Sequence, residues 1–212
     1  MYLYSTALRP RAANPAKVMD WAIRMTEKIN QIGEIPSSLW TATMSPAMGT
    51  LAWTSVVPDL AVIEDTESKF AADAGYTSLV DEAAGLLAGS EPADQQLMQL
   101  VHADADAGRI DVHYALTVRG MLVPGEARRG IELGVELAQR AKQITGRPTT
   151  FAVGVTGDYG AVMWVSLAET IQQVQAANEA LDANEDFGKS LDKEAAKVYL
   201  PGATQTLSRK IA

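Results

Sequence analysis

The stretch YGAVMWVSL, Tyr159 to Leu167, has a looser twin far upstream in MGTLAWTSV, Met48 to Val56. Gly49, Trp53 and Ser55 stand to Gly160, Trp164 and Ser166 at one spacing, 164 − 53 = 111 residues. The register continues downstream. Asp81 and Ala84 match Asp192 and Ala195, and Tyr76 falls opposite Phe187 as an aromatic pair. A pattern recurring at a fixed long spacing signals one supersecondary unit used twice.

Each half reads strand, helix, strand, strand, helix, strand. In the first, Tyr2 to Leu8 is rich in strand formers. Asn14 then offers a helix N-cap with Pro15 at the first helical position, and Gly33 follows the last turn. Val18, Trp21, Ala22, Met25, Ile29 and Ile32 recur at helical spacing between them. SLWTATM and TLAWTSV flank the hairpin connection Ser45 to Gly49. Pro58 opens a helical stretch through about Ala72, a second runs from near Thr77 to near Gly89, and Gln95 to Val101 supplies a closing strand. The second half repeats the order. IDVHYALTV is followed by a helix over about Gly125 to Ile144, then TTFAVGVT and AVMWVSL around the turn Gly157 to Gly160. Helices from about Ala168 and Lys189 and the strand ATQTLSRKI complete it.

This order is the split βαβ, ferredoxin-like module, with both helices on one face of a four-stranded antiparallel sheet. The bare face carries Trp, Leu, Met and Val and must find cover. A second module in the same chain supplies it. The expectation is therefore an α+β fold of two tandem ferredoxin-like modules, residues 1–103 and 109–212, joined by a linker at 104–108. Their antiparallel sheets face one another as a barrel with helices outside.

The duplicated module carries a short helix at an aromatic residue in each half, GYTSLVDEA (Gly75 to Ala83) and EDFGKSLDKEA (Glu185 to Ala195). With that feature it resembles the dimeric α+β barrel superfamily, which includes NIPSNAP-like, EthD-like and antibiotic-biosynthesis-monooxygenase-like proteins. The resemblance covers nearly the whole chain and rests on element order and the tryptophan-containing strand. It implies the barrel. It implies no single activity, because that group spans cofactor-free oxygenases, haem enzymes, isomerases and proteins of unknown role.

Composition narrows the chemistry. Apolar residues make up 47% and charged residues 21% of 212, the balance of a globular protein. A net charge of −8 and pI near 4.8, with no cluster of Lys and Arg, argue against a nucleic-acid partner. No apolar run approaches the roughly 18 residues that cross a bilayer, and no secretory signal pattern opens the chain. The expectation is a cytoplasmic protein that does not engage membranes and admits a homo-oligomer. Absence of Cys excludes disulfides, thiolate catalysis and Cys-based metal sites. Only His102 and His113 supply imidazole, neither predicted helical, so no haem or other cofactor is expected. The run HADADAGRIDVH fails the calcium-loop spacing and reads as a solvated acidic linker, so no metal site is expected. No phosphate loop or GxSxG elbow occurs.

Strand alternation assigns candidate site residues. A two-residue turn at Asp158-Tyr159 would pair Val153 with Trp164, and the same count in the first half pairs Ala42 with Trp53. One face is then bulky (Trp40, Ala42, Met44, Leu51, Trp53) and the other hydroxyl-rich (Thr41, Thr43, Thr50, Ala52, Thr54). The bulky face is expected on the helices. Trp53 and Trp164 then either pack the core or form related walls of a pocket for a flat ligand, with Thr41 and Thr43 as candidate contacts. His113, mid-strand by pattern, is the candidate general base, and Tyr4 its hydroxyl partner. Together these point to a barrel that binds a small apolar or aromatic molecule. Its chemistry would be that of a cofactor-free oxygenase, cyclase or isomerase acting by proton abstraction. The alternative is a non-catalytic assembly or stress-response protein with a packed interior.

Overall fold

The computed structural model describes residues 1–10, 14–87, 90 and 92–212. The first half forms β1 (Tyr2–Leu8), α1 (Pro15–Ile32), β2 (Ser38–Thr43), β3 (Leu51–Val57), α2 (Ala61–Ala72), α3 (Ala74–Leu86) and β4 (Asp94–His102). The second forms β5 (Tyr114–Met121), α4 (Ala127–Thr145), β6 (Thr149–Gly154), β7 (Ala161–Ala168), α5 (Ile171–Asp182) and α6 (Glu185–Ser190). A π-helical turn at Leu191–Ala195 leads into α7 (Ala196–Val198) and β8 (Thr204–Lys210). The eight strands follow the order β1-β3-β2-β8-β5-β7-β6-β4 in one sheet that closes as a barrel. The chain thus has the α+β barrel fold expected from its element order.

Local chemistry explains the elements. The Asn14 side chain accepts from the Lys17 amide at 3.2 Å, with Pro15 opening α1 as expected. The Gly33 amide closes that helix on the Ile29 carbonyl at 2.8 Å. The expected end of the second helical stretch at Gly89 lies outside the described residues; α3 runs to Leu86.

Two compact units divide the chain: Met1–Thr43, Ala47–Leu97 and Lys210–Ala212 form one, Met44–Pro46 and Met98–Arg209 the other. The modular boundary at 104–108 is a proposal about how the chain is built, and differs from this division in where β4 and the last residues fall. In the first unit, Leu8, Leu39, Leu51 and Trp53 of the sheet pack on Val18, Trp21, Ala22 and Met25 of α1. In the second, Phe151, Val162 and Leu122 pack on Ala138, while Phe187 closes over Leu137 and Ala141.

The bulky face of β3 lies on the helices as expected, but β2 does not follow it. Trp53 pairs with Leu39, and Trp40 with Ala52, a register three residues away from the one the short-turn count gives. An odd shift reverses the faces of β2. Trp40 therefore turns away from the helices, its indole donating to Thr54 Oγ1 at 2.9 Å, while Thr41 shares the side of Leu51. The cause is the hairpin connection, where Met44 (φ 46°) and Gly49 (φ 85°) both take the left-handed region and lengthen the turn. In the second hairpin the shift is two residues: Trp164 pairs with Phe151 and Val153 with Val162. An even shift keeps the faces.

The run read as a solvated acidic linker is in part a buried anchor. The Asp104 carboxylate is 1% exposed, 2.8 Å from the Lys142 ammonium on α4. It also accepts from the Asp106 and Thr149 amides at 2.9 and 3.4 Å. Burial works to raise its pKa, but the Lys142 ammonium and the two amides outweigh it and hold the carboxyl below its ordinary range. That contribution to stability is present above the ordinary value of 3.8 and is lost as pH falls through the lowered one. Sequence pattern cannot see this anchor, because Lys142 is 38 residues away.

Candidate functional site

In the first unit a cavity of about 260 Å³ lies on the helix side of the sheet. Its floor follows from strand pairing: Tyr4 stands opposite Ser55 and Thr6 opposite Trp53, so these four side chains share one face. Trp21, Met25 and Ile29 form the back wall at intervals of four on α1, a single helical face. Val62, Ile63, Thr66, Glu67 and Phe70 of α2 form the roof, again one face. Tyr76, in the first turn of α3, and Ile35, Ser37, Val57 and Gln95 complete the lining.

The walls are fixed by hydrogen bonds that also satisfy their polar atoms. The Trp53 indole donates to Thr26 Oγ1 at 2.8 Å, and that hydroxyl donates onward to the Ala22 carbonyl at 2.7 Å. Trp21 stands edge-on to Trp53, ring centroids 5.9 Å apart at 77°, and its own indole donates to the Leu79 carbonyl on α3 at 2.8 Å. Arg24 grips Glu82 of α3 through two bonds of 3.0 and 2.6 Å. Lys28 holds Asp73 at 2.9 Å, and Asp73 caps α3 by accepting from the Tyr76 amide at 2.8 Å. Hydrogen bonds from Arg24 and Lys28 keep the Glu82 and Asp73 carboxyls below their ordinary range. Together these contacts set α3 on α1 and carry Tyr76 to the cavity.

Two of the polar groups in the lining are tyrosines. Burial raises the Tyr4 hydroxyl above its ordinary pKa; the Thr6 hydroxyl pulls the other way, and the Glu67 carboxylate adds to the rise. Burial raises Tyr76 as well, reinforced by Tyr4 and Glu67. Phe70 stacks on Tyr76 with centroids 4.7 Å apart and planes 12° from parallel, which fixes that ring. Both tyrosines are therefore neutral donors at physiological pH.

The second unit treats its matching tryptophan differently. Trp164 also donates its indole to the neighbouring helix, to the Gly134 carbonyl at 2.9 Å. Here the surrounding space is filled. Phe151 lies 5.0 Å from Trp164, and Tyr199 stands edge-on at 5.2 Å and 81°. The Tyr199 hydroxyl donates to the Gly130 carbonyl, and burial pushes its pKa well up. Two glycines of α4 admit this packing. A Cβ at Gly134 would sit 2.3 Å from the Phe151 ring, and one at Gly130 would sit 2.2 Å from Leu122.

Of the residues singled out by sequence, Tyr4 and Trp53 line the cavity together. Thr41 and Thr43 sit on β2 and do not line it, and Trp164 packs in the second unit. His113 precedes β5 rather than lying within it. Its amide donates to the Ala168 carbonyl, and its imidazole is 54% exposed, 3.1 Å from Asp111. It is not among the cavity residues. Pattern reading missed Glu67, Phe70 and the polar side of Tyr76. The helical spacing of 62, 63, 66, 67 and 70 was the available signal. Neither histidine lines the cavity, and its volume is too small for a haem macrocycle, so the residues present do not fit that group. Among the described residues no three His, Asp or Glu side chains gather as a metal site, and no helix is long and apolar enough to cross a membrane.

The fold has solved counterparts. A candidate monooxygenase from Fusobacterium nucleatum superposes with a TM-score of 0.72 at 6% identity, over 100% of this chain and 92% of that one. An anthrone oxidase-like protein gives 0.68 at 14% identity, over 100% and 92%. A candidate monooxygenase from Lactobacillus acidophilus gives 0.66 at 8% identity, over 99% and 93%. No family model matches the chain, and no curated protein matches it in sequence. At such identities the likeness shows the fold alone.

Proposed function

We propose that the cavity of the first unit binds a small, flat, largely apolar organic molecule and exposes it to cofactor-free oxygenation. The observation that carries this reading is the cavity itself. Trp21, Trp53, Met25 and Phe70 give it apolar walls, while Tyr4, Tyr76 and Glu67 supply polar groups. Ligand sites commonly combine a mostly apolar concavity with a few placed polar groups. The monooxygenase and anthrone oxidase-like descriptions of its structural counterparts are consistent with it.

Glu67 is the carboxylate in the lining, and in this reading it takes the role of base that sequence alone gave to His113. It removes a proton from an acidic carbon, and Tyr4 donates to the oxygen on which the charge collects. The carbanion passes electrons to dioxygen and forms a carbon–oxygen bond. The resulting hydroperoxide loses water to leave a ketone, so a methylene and one dioxygen give a carbonyl and one water. Cyclisation or isomerisation would share the first step.

Anthrone in aerated buffer tests the reaction, with dioxygen uptake and anthraquinone formation as readouts. The protein is expected to accelerate both over buffer. Glu67→Gln should lose about a hundredfold or more of that acceleration, and His113→Ala should keep it. No acceleration, or loss with His113→Ala and not with Glu67→Gln, would overturn this assignment.

A further inference from the structure

The inward face of α2 rests on a void rather than on a core. Val62, Ile63, Thr66 and Phe70 are its half-buried side chains, and all four line the cavity. Among the described residues, none of α2 is buried and none belongs to the hydrophobic cluster of the first unit. The neighbouring α3 has no buried residue either, yet its Tyr76, Leu79, Ala83 and Leu86 pack against that cluster. Hydrogen bonds from Arg24 and Trp21 of α1 hold it as well. Side chains that face empty space forgo the close contacts that keep a helix in place, so α2 is the less firmly held of the two.

The joints on either side of α2 are short. One extended residue, Asp73 (φ −94°, ψ 114°), stands between α2 and α3. Its amide donates to the Phe70 carbonyl at 3.2 Å, while its carboxylate caps α3 and holds Lys28 of α1. Residues Pro58 to Leu60 join the other end of α2 to β3. On the outer side Lys69 meets Glu34 at 2.7 Å, but their side chains are 43% and 78% exposed, and such a pair holds weakly. Glu67 and Gln95 are the exposed members of the lining, which puts the mouth of the cavity between α2 and β4.

Resting on the proposed binding role of the cavity, we infer that α2 is its lid. The helix swings outward on its two joints, widens the mouth and admits the ligand, while α3 stays docked on α1. Glu67 rides on the moving helix, so its carboxylate reaches a bound molecule when the lid is closed.

Hydrogen exchange on the whole protein reads the motion without any ligand. Amides of α2 are expected to exchange about tenfold or more faster than those of α1 and α3. Lys28→Met, which releases Asp73 from α1, should raise exchange in the first turn of α3. An α3 unmoved by that change would overturn Asp73 as the fixed joint. Protection of α2 equal to that of α1 or α3 in the unmodified protein would overturn the lid itself. Admission is read with a tether. The chain contains no Cys, so Glu34→Cys with Lys69→Cys supplies one pair of exposed thiols for a short bis-maleimide. Entry of the uncharged fluorophore N-phenyl-1-naphthylamine, which brightens in apolar surroundings, is followed by stopped flow. The comparison is the same double variant capped on each thiol with N-ethylmaleimide. The tether is expected to slow entry about tenfold or more. Equal rates of entry would overturn the role in admission while leaving the cavity a binding site. Absence of binding by the capped protein would overturn the binding role and this inference with it.

Discussion

Gly134→Val is expected to unfold the second unit at temperatures where the unmodified protein remains intact. A Cβ at this position meets three atoms of the Phe151 ring at 2.3 to 2.7 Å. Phe151 is fully buried, packed against Trp164 and Ala138, so the ring has no open side to move into. Even Gly134→Ala is expected to lose stability, since overpacking costs about 1–3 kcal/mol against a gain of about 1 kcal/mol in helix propensity. The branched valine adds to the cost. Gly188→Ala is the control: it lies in α6 with nothing within 4 Å of its would-be Cβ, and should raise stability slightly. Urea unfolding of the three variants reads the difference. If Gly134→Ala stabilised the protein as Gly188→Ala does, the close approach of α4 to β6 would be wrong.

Trp53→Ala is expected to cost about 3–5 kcal/mol, the range for truncating a buried large aromatic. It removes a side chain only 9% exposed, the edge-on contact with Trp21, and the indole donor to Thr26. Thr26 keeps its bond to the Ala22 carbonyl, so no buried hydroxyl is orphaned and the loss is mainly one of packing. Because Trp53 is also part of the cavity floor, the same variant should lose N-phenyl-1-naphthylamine binding. Trp53→Phe should recover much of the stability, having an aromatic ring but no indole donor. A Trp53→Ala protein as stable as the parent in urea would contradict the placement of this residue between the sheet and α1.

How much of this was legible in the sequence depended on the range of the interaction. The alternation around Trp53 and Trp164, the Asn14-Pro15 start of α1 and the order of elements are all local signals, and they led to the barrel. The face of β3 was readable for the same reason. The face of β2 was not, because it depends on the length of one turn. The connection is longer than a compact turn and uses two left-handed residues, Met44 and Gly49. His113 lies just before β5, which begins at Tyr114, and its imidazole is exposed rather than in the cavity. The cavity itself was hidden because it is made by closure of α2 and α3 over the sheet. Neither helix contains a fully buried residue to announce that role, and the contacts that hold α3, Arg24 to Glu82 and Trp21 to Leu79, each span 58 residues.

The difference between the two tryptophans illustrates the same point. Trp53 and Trp164 share a strand position and each donates its indole to a neighbouring helix. Side chains elsewhere in the chain decide the outcome. Tyr199 and Phe151 fill the space beside Trp164, whereas the space beside Trp53 stays open under Phe70 and Tyr76.

The chain has four tryptophans, and every indole is a hydrogen-bonded donor to a different acceptor: Leu79, Thr54, Thr26 and Gly134. Four separate indole N–H signals are therefore expected in a ¹⁵N correlation spectrum. Titration with N-phenyl-1-naphthylamine should shift the signals of Trp21 and Trp53 and leave that of Trp164 in place. A shift at Trp164 without one at Trp53, or no shift at any indole at saturating ligand, would contradict a ligand site in the first unit.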